Sequence, residues 1–317
     1  LPDGGARAKG LGVVCGDFDR DGRPDFYVAN DGEHNQLWRN TGDGRFRDEA
    51  LVRGVAVNAE GAVEASMGIA AGDVDRDGDL DLFLTHFKSE TNTLYLSLDG
   101  GRFNDYTFQA GMAGDDMAFT GWACGLLDID HDGNLDLAVV NGRVDRRPGS
   151  ELEPFWSRYA EPNLLFLGKS AATYASAGAA SGPFATRLEV TRGLGQGDLD
   201  GDGDLDMVVT SAAGKVWIYR NERGAGAGHS LQLRVVDGKH DALGASVLLR
   251  AGDRISRHLV TTAGYLSSSD PRIHIGLGDT TTIDEVEVTW TDGSNERFVV
   301  DGTDAEHTLR RGYGEPR

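Results

Sequence analysis

The chain has 317 residues, of which 39% are hydrophobic and 8% aromatic, so it can bury cores and is not disordered by composition. Its formal net charge of −20 disfavours nucleic acid as a partner, because phosphates bind to basic surfaces. Its apolar runs are too short to cross a bilayer, and we therefore expect no membrane span.

A nine-residue acidic pattern, D-x-D-x-D-G-x-x-D, occurs four times, starting at Asp17, Asp73, Asp128 and Asp198. An apolar run follows every copy. The first three copies are about 55 residues apart, which is typical of a four-stranded propeller blade. We predict an all-β fold, in which four repeats form the blades of a partial or truncated β-propeller ring. A small C-terminal antiparallel β-sandwich or barrel follows.

The predicted propeller covers residues 1–226, in units of about 9–60, 61–115, 116–185 and 186–226. In unit one, GLGVVCG and DFYVAN flank the acidic loop, and NQLWRN and RFRDEA are the third and fourth strands. Unit four has three such segments and then the glycine-rich stretch ERGAGAGH, which is typical of a linker. Residues 1–9 contain no segment that could complete it, so we expect an open arc with exposed edges.

Short alternating strands from about Ser230 predict a second domain over residues 227–317, without acidic loops. The two cysteines, Cys15 and Cys124, lie in units one and three, which are not sequence neighbours. We predict buried thiols for both rather than a disulfide.

The acidic loops are predicted to bind Ca²⁺, because this ion takes six to eight oxygen ligands in flexible geometry. Carboxylates at positions one, three, five and nine and the backbone carbonyl at position seven would be the ligands. Glycine at position six permits the tight reversal of the chain. The predicted ligands of about four ions, one per loop, are Asp17, Asp19, Asp21, Arg23 and Asp25; Asp73, Asp75, Asp77, Asp79 and Asp81; Asp128, Asp130, Asp132, Asn134 and Asp136; and Asp198, Asp200, Asp202, Asp204 and Asp206.

An EF-hand is excluded, because it requires Glu at position twelve, where this chain has Val28, Leu84, Val139 and Val209. Mg²⁺ and metal-free Asp-Gly turns remain as alternatives. At free calcium 100 times the dissociation constant, each site would add about 2.7 kcal/mol to stability. We therefore expect the calcium to be structural.

The loops resemble FG-GAP/VCBS propeller repeats, as in integrin α-chains and the cartilage acidic protein family. The stretches GASVLLRAG from Gly244, GYLSSSDPRIHIGLG from Gly264 and VEVTWTDG from Val286 resemble the ASPIC/UnbV domain that follows such repeats. The last stretch more often reads W-P-S-G in that family, so Thr291 and Asp292 depart from its pattern. The resemblance implies a secreted, periplasmic or cell-surface calcium-binding protein, of which this chain is the C-terminal part.

The propeller face opposite the loops is the predicted partner site, since the loops between second and third strands meet there. A long insertion at residues 142–162 adds aromatic and arginine side chains, which often anchor partners; a solvated variable loop is the alternative. The candidates are Asp31, Glu33 and His34, then His86, Phe87 and Lys88, and in the insertion Arg143, Arg146, Arg147, Trp156, Arg158 and Tyr159.

Catalytic motifs are absent: the sequence has neither a G-x-S-x-G elbow nor an H-E-x-x-H helix. His131 is expected to be exposed, and His258 and His274 to be core or surface residues. Ser267–Asp270 is interpreted as turn chemistry. The first hypothesis is an extracellular adhesion, partner-binding or glycan-binding module that is not an enzyme. The second is an enzyme or accessory protein of secondary metabolism, with a pocket in the propeller or at the domain junction.

Overall fold

The computed structural model describes residues 8–98, 100–170, 172–222 and 228–317. Six sheets contain the strands of these residues, and the helical segments among them are single turns, so the predicted all-β class is confirmed. These turns are α1 (Ala50–Arg53), α2 (Pro183–Thr186) and two 3₁₀ segments (Trp156–Tyr159 and Gly178–Ser181). In the described ranges, no helix has the length and apolarity needed to cross a membrane.

Four consecutive antiparallel sheets form the blades, and within each blade the strands pair in chain order. Blade one has β1 (Gly10–Gly16), β2 (Asp25–Asn30), β3 (Gln36–Asn40) and β4 (Phe46–Asp48). Blade two has β5 (Ile69–Gly72), β6 (Asp81–Leu84), β7 (Thr93–Leu98) and β8 (Arg102–Asp105). Blade three has β9 (Gly121–Leu127), β10 (Asp136–Asn141), β11 (Leu164–Gly168) and β12 (Tyr174–Ser176). Blade four has β13 (Thr191–Gly197), β14 (Asp206–Ser211) and β15 (Val216–Tyr219).

The blades stand side by side around an axis, because their first strands are neighbours: β1 contacts β5, β5 contacts β9, and β9 contacts β13. Within the described ranges, strands β1 and β13 make no comparable contact, so the described blades form an open arc, as predicted. A separate apolar core fills each of the three blade interfaces. The outer faces of the end blades leave apolar side chains uncovered: Val13 is 57% exposed and Ile218 is 68% exposed.

A buried asparagine fixes the turn between the second and third strands of the first three blades. Its side-chain oxygen accepts a hydrogen bond from a backbone N–H at the end of the second strand or just past it, so this buried N–H is paired. The pairs are Asn35 with Asn30 at 2.8 Å, Asn92 with His86 at 3.0 Å, and Asn163 with Asn141 at 3.1 Å.

Blade four has three strands among the described residues, in agreement with the sequence. Most of the predicted linker that follows it, and most of residues 1–9, lie outside the described residues. A groove of about 570 Å³ lies beside β15 and is lined by Phe184, Met207, Trp217 and Tyr219. The described part of the chain therefore leaves the edge of this blade uncovered.

Residues 228–317 form a two-sheet sandwich around the buried Trp290, which we call the C-terminal sandwich. One sheet has β17 (His240–Asp241), β16 (His229–Asp237) and β20 (Ile273–Gly278), with β23 (Ala305–Arg310) parallel to β16. The other sheet has β19 (Arg254–Leu259), β18 (Ser246–Ala251), β21 (Glu285–Thr289), β22 (Asn295–Phe298) and β24 (Glu315–Pro316). Strands β17, β23 and β24 were not predicted, and β23 pairs with β16 in parallel, whereas an antiparallel domain was expected.

Candidate metal centres

The four acidic loops join the first and second strands of successive blades and therefore lie on one face of the propeller. They are loop one (Asp17–Asp25), loop two (Asp73–Asp81), loop three (Asp128–Asp136) and loop four (Asp198–Asp206). In every loop, carboxylate oxygens from positions one, three and nine lie within 4.8 Å of one another. The structure thus brings together three of the predicted ligands of each ion. The clusters are Asp17, Asp19 and Asp25; Asp73, Asp75 and Asp81; Asp128, Asp130 and Asp136; and Asp198, Asp200 and Asp206.

The glycine at position six lets the loop fold back on its first aspartate. These glycines have φ between +82° and +93°, in the left-handed region that other residues avoid. Each donates its N–H to Oδ2 of the aspartate at position one. The distances are 2.8 Å for Gly22, 3.0 Å for Gly78, 2.8 Å for Gly133 and 3.1 Å for Gly203.

Position four is also left-handed in every loop, which the sequence analysis missed. It is occupied by Arg20, Arg76 and His131 in the first three loops and by glycine in the fourth. Left-handed backbone is unfavourable for a residue with a side chain. The first three loops therefore store backbone strain at this position.

The aspartate at position nine is the first residue of the second strand and connects three segments of its blade. Its Oδ2 accepts the N–H of loop position two, and its Oδ1 accepts an N–H from the third strand or just after it. The Oδ2 distances are 3.3 Å for Asp25, 2.8 Å for Asp81, 2.8 Å for Asp136 and 3.1 Å for Asp206. The Oδ1 distances, in the same order, are 2.7, 2.8, 2.7 and 2.8 Å. This residue therefore has a structural role beyond its predicted role as a ligand.

The aspartate at position five lies outside the three-residue clusters. Its Oδ1 instead accepts the N–H of position seven, at 2.8 to 3.0 Å in all four loops. The ligand roles of positions five and seven stay predictions. The residues are Asp21 with Arg23, Asp77 with Asp79, Asp132 with Asn134, and Asp202 with Asp204.

The carboxylates of the first three loops are held in an environment that opposes negative charge. Burial, followed by repulsion from neighbouring aspartates, raises the pKa of Asp128 to about 8. Burial likewise raises the pKa of Asp25, Asp73 and Asp136 to about 7, against backbone hydrogen bonds that lower it. A divalent cation would reverse this balance by compensating the charges.

Two buried oxygens in the clusters, Oδ1 of Asp19 and Oδ1 of Asp128, have no hydrogen-bond partner among the described residues. Asp128 is 2% exposed, and an unpaired oxygen at such a depth is costly unless it has a ligand. Together with the hard oxygen donor sets, these oxygens fit a Ca²⁺ ion at the loops.

Loop four differs from the others in its electrostatics. Burial acts to raise the pKa of Asp198, but hydrogen bonds from Gln232, Gly201 and Gly203 outweigh it, and the pKa is lowered. Arg220 lies 2.7 Å from the carboxylate of Asp200. Loop four is therefore the loop whose first carboxylate has a lowered pKa, whereas the pKa of the first carboxylate is raised in the other three loops.

His131 was predicted to be exposed, and this prediction is wrong. The side chain is fully buried, because the C-terminal sandwich covers loop three. Its ring packs on that of His274 with centroids 4.5 Å apart, and its carbonyl oxygen accepts the N–H of Gly278 at 2.8 Å. His274 belongs to the sandwich and is itself buried. A core position was one of the two environments predicted for it, the other being the surface.

A cavity of about 120 Å³ lies where the sandwich meets the blades. His258, Gln232 and Arg257 line it together with residues of all four blades. Ser269 and Asp270, in the segment interpreted as turn chemistry, hydrogen-bond to the backbone of Gln196 across this junction. The cavity has the volume of a few water molecules.

On the opposite face, the predicted partner residues separate into buried and accessible ones. His86 is 1% exposed and lies 3.4 Å from the carboxylate of Glu64, so its prediction as a surface contact is wrong. Lys88 pairs with Asp145, which connects blade two to the insertion. Asp31, Glu33 and His34 remain partly or fully accessible.

The insertion at residues 142–162 is held by backbone pairs, Arg143 with Tyr159 and Arg147 with Arg158. The side chain of Arg158 donates to the carbonyl oxygens of Glu151 and Glu153, so it supports the loop rather than offering itself to a partner. Phe155, Trp156 and Tyr159 form an aromatic cluster in which Phe155 and Trp156 are 54% and 45% exposed. A groove of about 380 Å³ separates Trp156 from blade four.

Both cysteines are free thiols, as predicted, but the predicted burial holds only for Cys124, and Cys15 is half-buried. Burial raises the pKa of Cys124, and it raises that of the half-buried Cys15 with a contribution from Asp25.

Two family models match the chain. An FG-GAP-like repeat matches residues 17–84 and 73–139, and the ASPIC and UnbV family matches residues 236–316. The chain therefore contains FG-GAP-like repeats over residues 17–139 and an ASPIC and UnbV domain over residues 236–316. The resemblance seen in the sequence is thereby confirmed.

The chain is 27% identical over 299 residues to cartilage acidic protein 1 from Homo sapiens, which covers 90% of this chain and 41% of that protein. It is also 27% identical to cartilage acidic protein 1 from Xenopus tropicalis, over 90% of this chain and 42% of that protein. It thus spans about two fifths of the length of these relatives.

Among solved structures, the chain is similar to a lectin from Agrocybe aegerita that specifically recognises non-reducing terminal N-acetylglucosamine. The match has a TM-score of 0.35 and 16% identity, and it covers 66% of this chain and 51% of the lectin.

Proposed function

We propose that this FG-GAP-repeat chain acts outside the cell, secreted, periplasmic or on the surface, as a structural-calcium protein that binds a protein or glycan partner. The calcium assignment rests on the three carboxylates that converge in each of the four loops. In loop three, one oxygen of Asp128 is also buried without a hydrogen-bond partner among the described residues. Four all-oxygen sites suit the millimolar calcium of extracellular fluids. Their ions would hold each loop closed on its blade.

The calcium assignment is tested by thermal unfolding with and without EGTA, with metal analysis of the purified protein. We expect bound calcium and a midpoint that falls when EGTA is added, because each lost site removes about 2.7 kcal/mol at 100 times its dissociation constant. Magnesium at the same concentration should restore less of the loss, since it demands stricter octahedral geometry. An unchanged midpoint without bound calcium would refute the assignment.

For the partner, the support comes from the exposed aromatic cluster on the insertion. Phe155 and Trp156 present apolar rings beside a groove and are rimmed by charged residues, an arrangement that suits sugar rings or a protein anchor. The double substitution Phe155→Ala with Trp156→Ala should abolish a hit found by glycan or protein array. Leu51→Ala, at a site 69% exposed on blade one, is the matched control. Equal binding by both variants would remove the insertion as the partner site.

The junction cavity is the observation that supports the alternative, an enzyme or accessory protein of secondary metabolism. Its volume of about 120 Å³ limits it to a small ligand. Two of the acids that line it, Asp198 and Asp270, have lowered pKa values through hydrogen bonds that outweigh burial, which does not suit a general acid. The binding role is therefore favoured.

A further inference from the structure

The C-terminal sandwich packs on the face of the propeller that carries the acidic loops, and it contacts every loop. The contacts range from close packing of two glycine backbones, in loop one, to hydrogen bonds in the other three. A sandwich in this position covers the loops instead of the opposite, partner-binding face. The contacts, in loop order, are Gly22 with Gly293, Asp73 with Arg257, His131 with Gly278, and Gly203 with His274.

Two hydrogen bonds from the sandwich reach carboxylates of the predicted ligands themselves. The backbone N–H of Arg257 donates to Oδ2 of Asp73 at 2.8 Å, and Nε2 of Gln232 donates to Oδ2 of Asp198 at 2.8 Å. The same two oxygens also accept the N–H of the loop glycine. Each Oδ2 is thus held by two donors, which sets the direction of the other oxygen of the carboxylate.

The side chain of Arg257 extends this support to the loop backbone. Its Nε donates to the carbonyl oxygen of Gly78 at 2.6 Å, and its Nη1 donates to Ser246 within the sandwich at 3.0 Å. In loop three the support is steric: a Cβ on Gly276 would overlap Oδ2 of Asp128. The sandwich backbone therefore packs directly on a predicted ligand.

We infer that the C-terminal sandwich forms part of the cation sites. Gln232 and Arg257 are positioning residues for loops four and two, respectively. Ions bound to the loops in turn hold the sandwich in place. This inference rests on the proposed calcium binding. Groups that orient a metal ligand typically change metal affinity by about ten- to a hundredfold. Because linkage is reciprocal, ions that bind more tightly to the docked arrangement also stabilise that arrangement.

The first test is a calcium titration of the full chain by isothermal calorimetry. Gln232→Met removes the donor at nearly constant volume, and Gln109→Met, on the exposed surface of blade two, is the control. We expect Gln232→Met to weaken one of the sites about tenfold and to leave the others unchanged. A general loss of structure would weaken all of them, so the outcome separates positioning from stability.

The second test is amide hydrogen exchange of the parent with calcium and with EGTA. The junction amides of Arg257, Asp270 and Gly278 donate to propeller oxygens, and they should exchange faster in EGTA. The amides of Val247 and Val288, within the sandwich sheets, should keep their protection.

The outcomes separate this inference from the proposed function. If the parent binds no calcium, both are refuted. If it binds calcium, while Gln232→Met matches the control and the junction amides are equally protected in EGTA, the proposed function stands and this inference is overturned.

Discussion

In loop three, substitution of Asp136 measures the structural role of a carboxylate separately from its role in metal binding. It is fully buried, and its two oxygens accept the backbone N–H groups of Ile129 at 2.8 Å and Gly168 at 2.7 Å. Asp136→Ala leaves both groups unpaired. Each unpaired buried donor costs about 1–3 kcal/mol, so the substitution should cost about 2–6 kcal/mol even without metal. Because burial raises the pKa of Asp136 to about 7, the buried carboxyl itself opposes folding near neutral pH, and its removal offsets part of this cost. We therefore expect a loss in the lower half of the range of about 2–6 kcal/mol.

The matched variant is Asp130→Ala, in the same loop and the same cluster. Asp130 is exposed, and its carboxylate accepts the N–H of Asp132 at a distance of 3.3 Å, so little structure depends on it. We expect Asp130→Ala to change the free energy of unfolding by less than about 0.5 kcal/mol in EGTA. In calcium at 100 times the dissociation constant it should lose up to about 2.7 kcal/mol.

Urea unfolding of the parent and both variants, in EGTA and in calcium, measures these values. The reasoning fails if Asp136→Ala is as stable as the parent in EGTA. It also fails if Asp130→Ala loses as much stability in EGTA as in calcium, because the cluster would then be structural at every position.

Three further predictions concern groups other than the loop carboxylates. Burial raises the pKa of Glu64 to about 7, so the folded state binds a proton that the unfolded state has released, and stability falls as pH rises from about 4.5 to 7. Glu64→Gln should therefore be more stable than the parent by about 1–3 kcal/mol at pH 8 and equal to it near pH 4; a constant difference in urea unfolding would contradict this. Asn163→Ala should lower the free energy of unfolding by about 1–3 kcal/mol, because its buried oxygen accepts hydrogen bonds from β10 and from a threonine of β13; the exposed Asn104→Ala should cost less than about 0.5 kcal/mol, and equal losses would argue against the turn contact. A thiol reagent should modify Cys15 slowly and Cys124 only after unfolding, since burial raises the pKa of both thiols; fast labelling of Cys124 in the folded protein would show that blade three opens.

The sequence predicted what depends on local pattern. The alternation of apolar residues located the strands of the blades, and the spacing of aspartates located the loops that the structure brings to one face of the propeller. The ninth aspartate was taken only as a ligand. The signal for its second role is its place as the first residue of a strand, within hydrogen-bond reach of two neighbouring segments.

The errors have a common physical cause, because burial at a junction depends on segments far apart in the chain. His131 sits in a polar loop, and nothing near it in sequence indicates that a strand more than a hundred residues later covers it. Gln232 and Arg257 likewise look like ordinary polar residues of alternating strands. His86 was the recoverable error, since it directly follows the fully buried run from Asp81 to Thr85.

Calcium stoichiometry tests the central claim most directly. Equilibrium dialysis of the parent against radioactive calcium should give four ions per chain, one for each aspartate cluster. Asp128→Ala, which removes one of the two cluster carboxylates that have a buried oxygen without a partner among the described residues, should give three. A parent that binds no calcium above background, or an Asp128→Ala variant that binds as many ions as the parent, would contradict the assignment of these loops as metal centres.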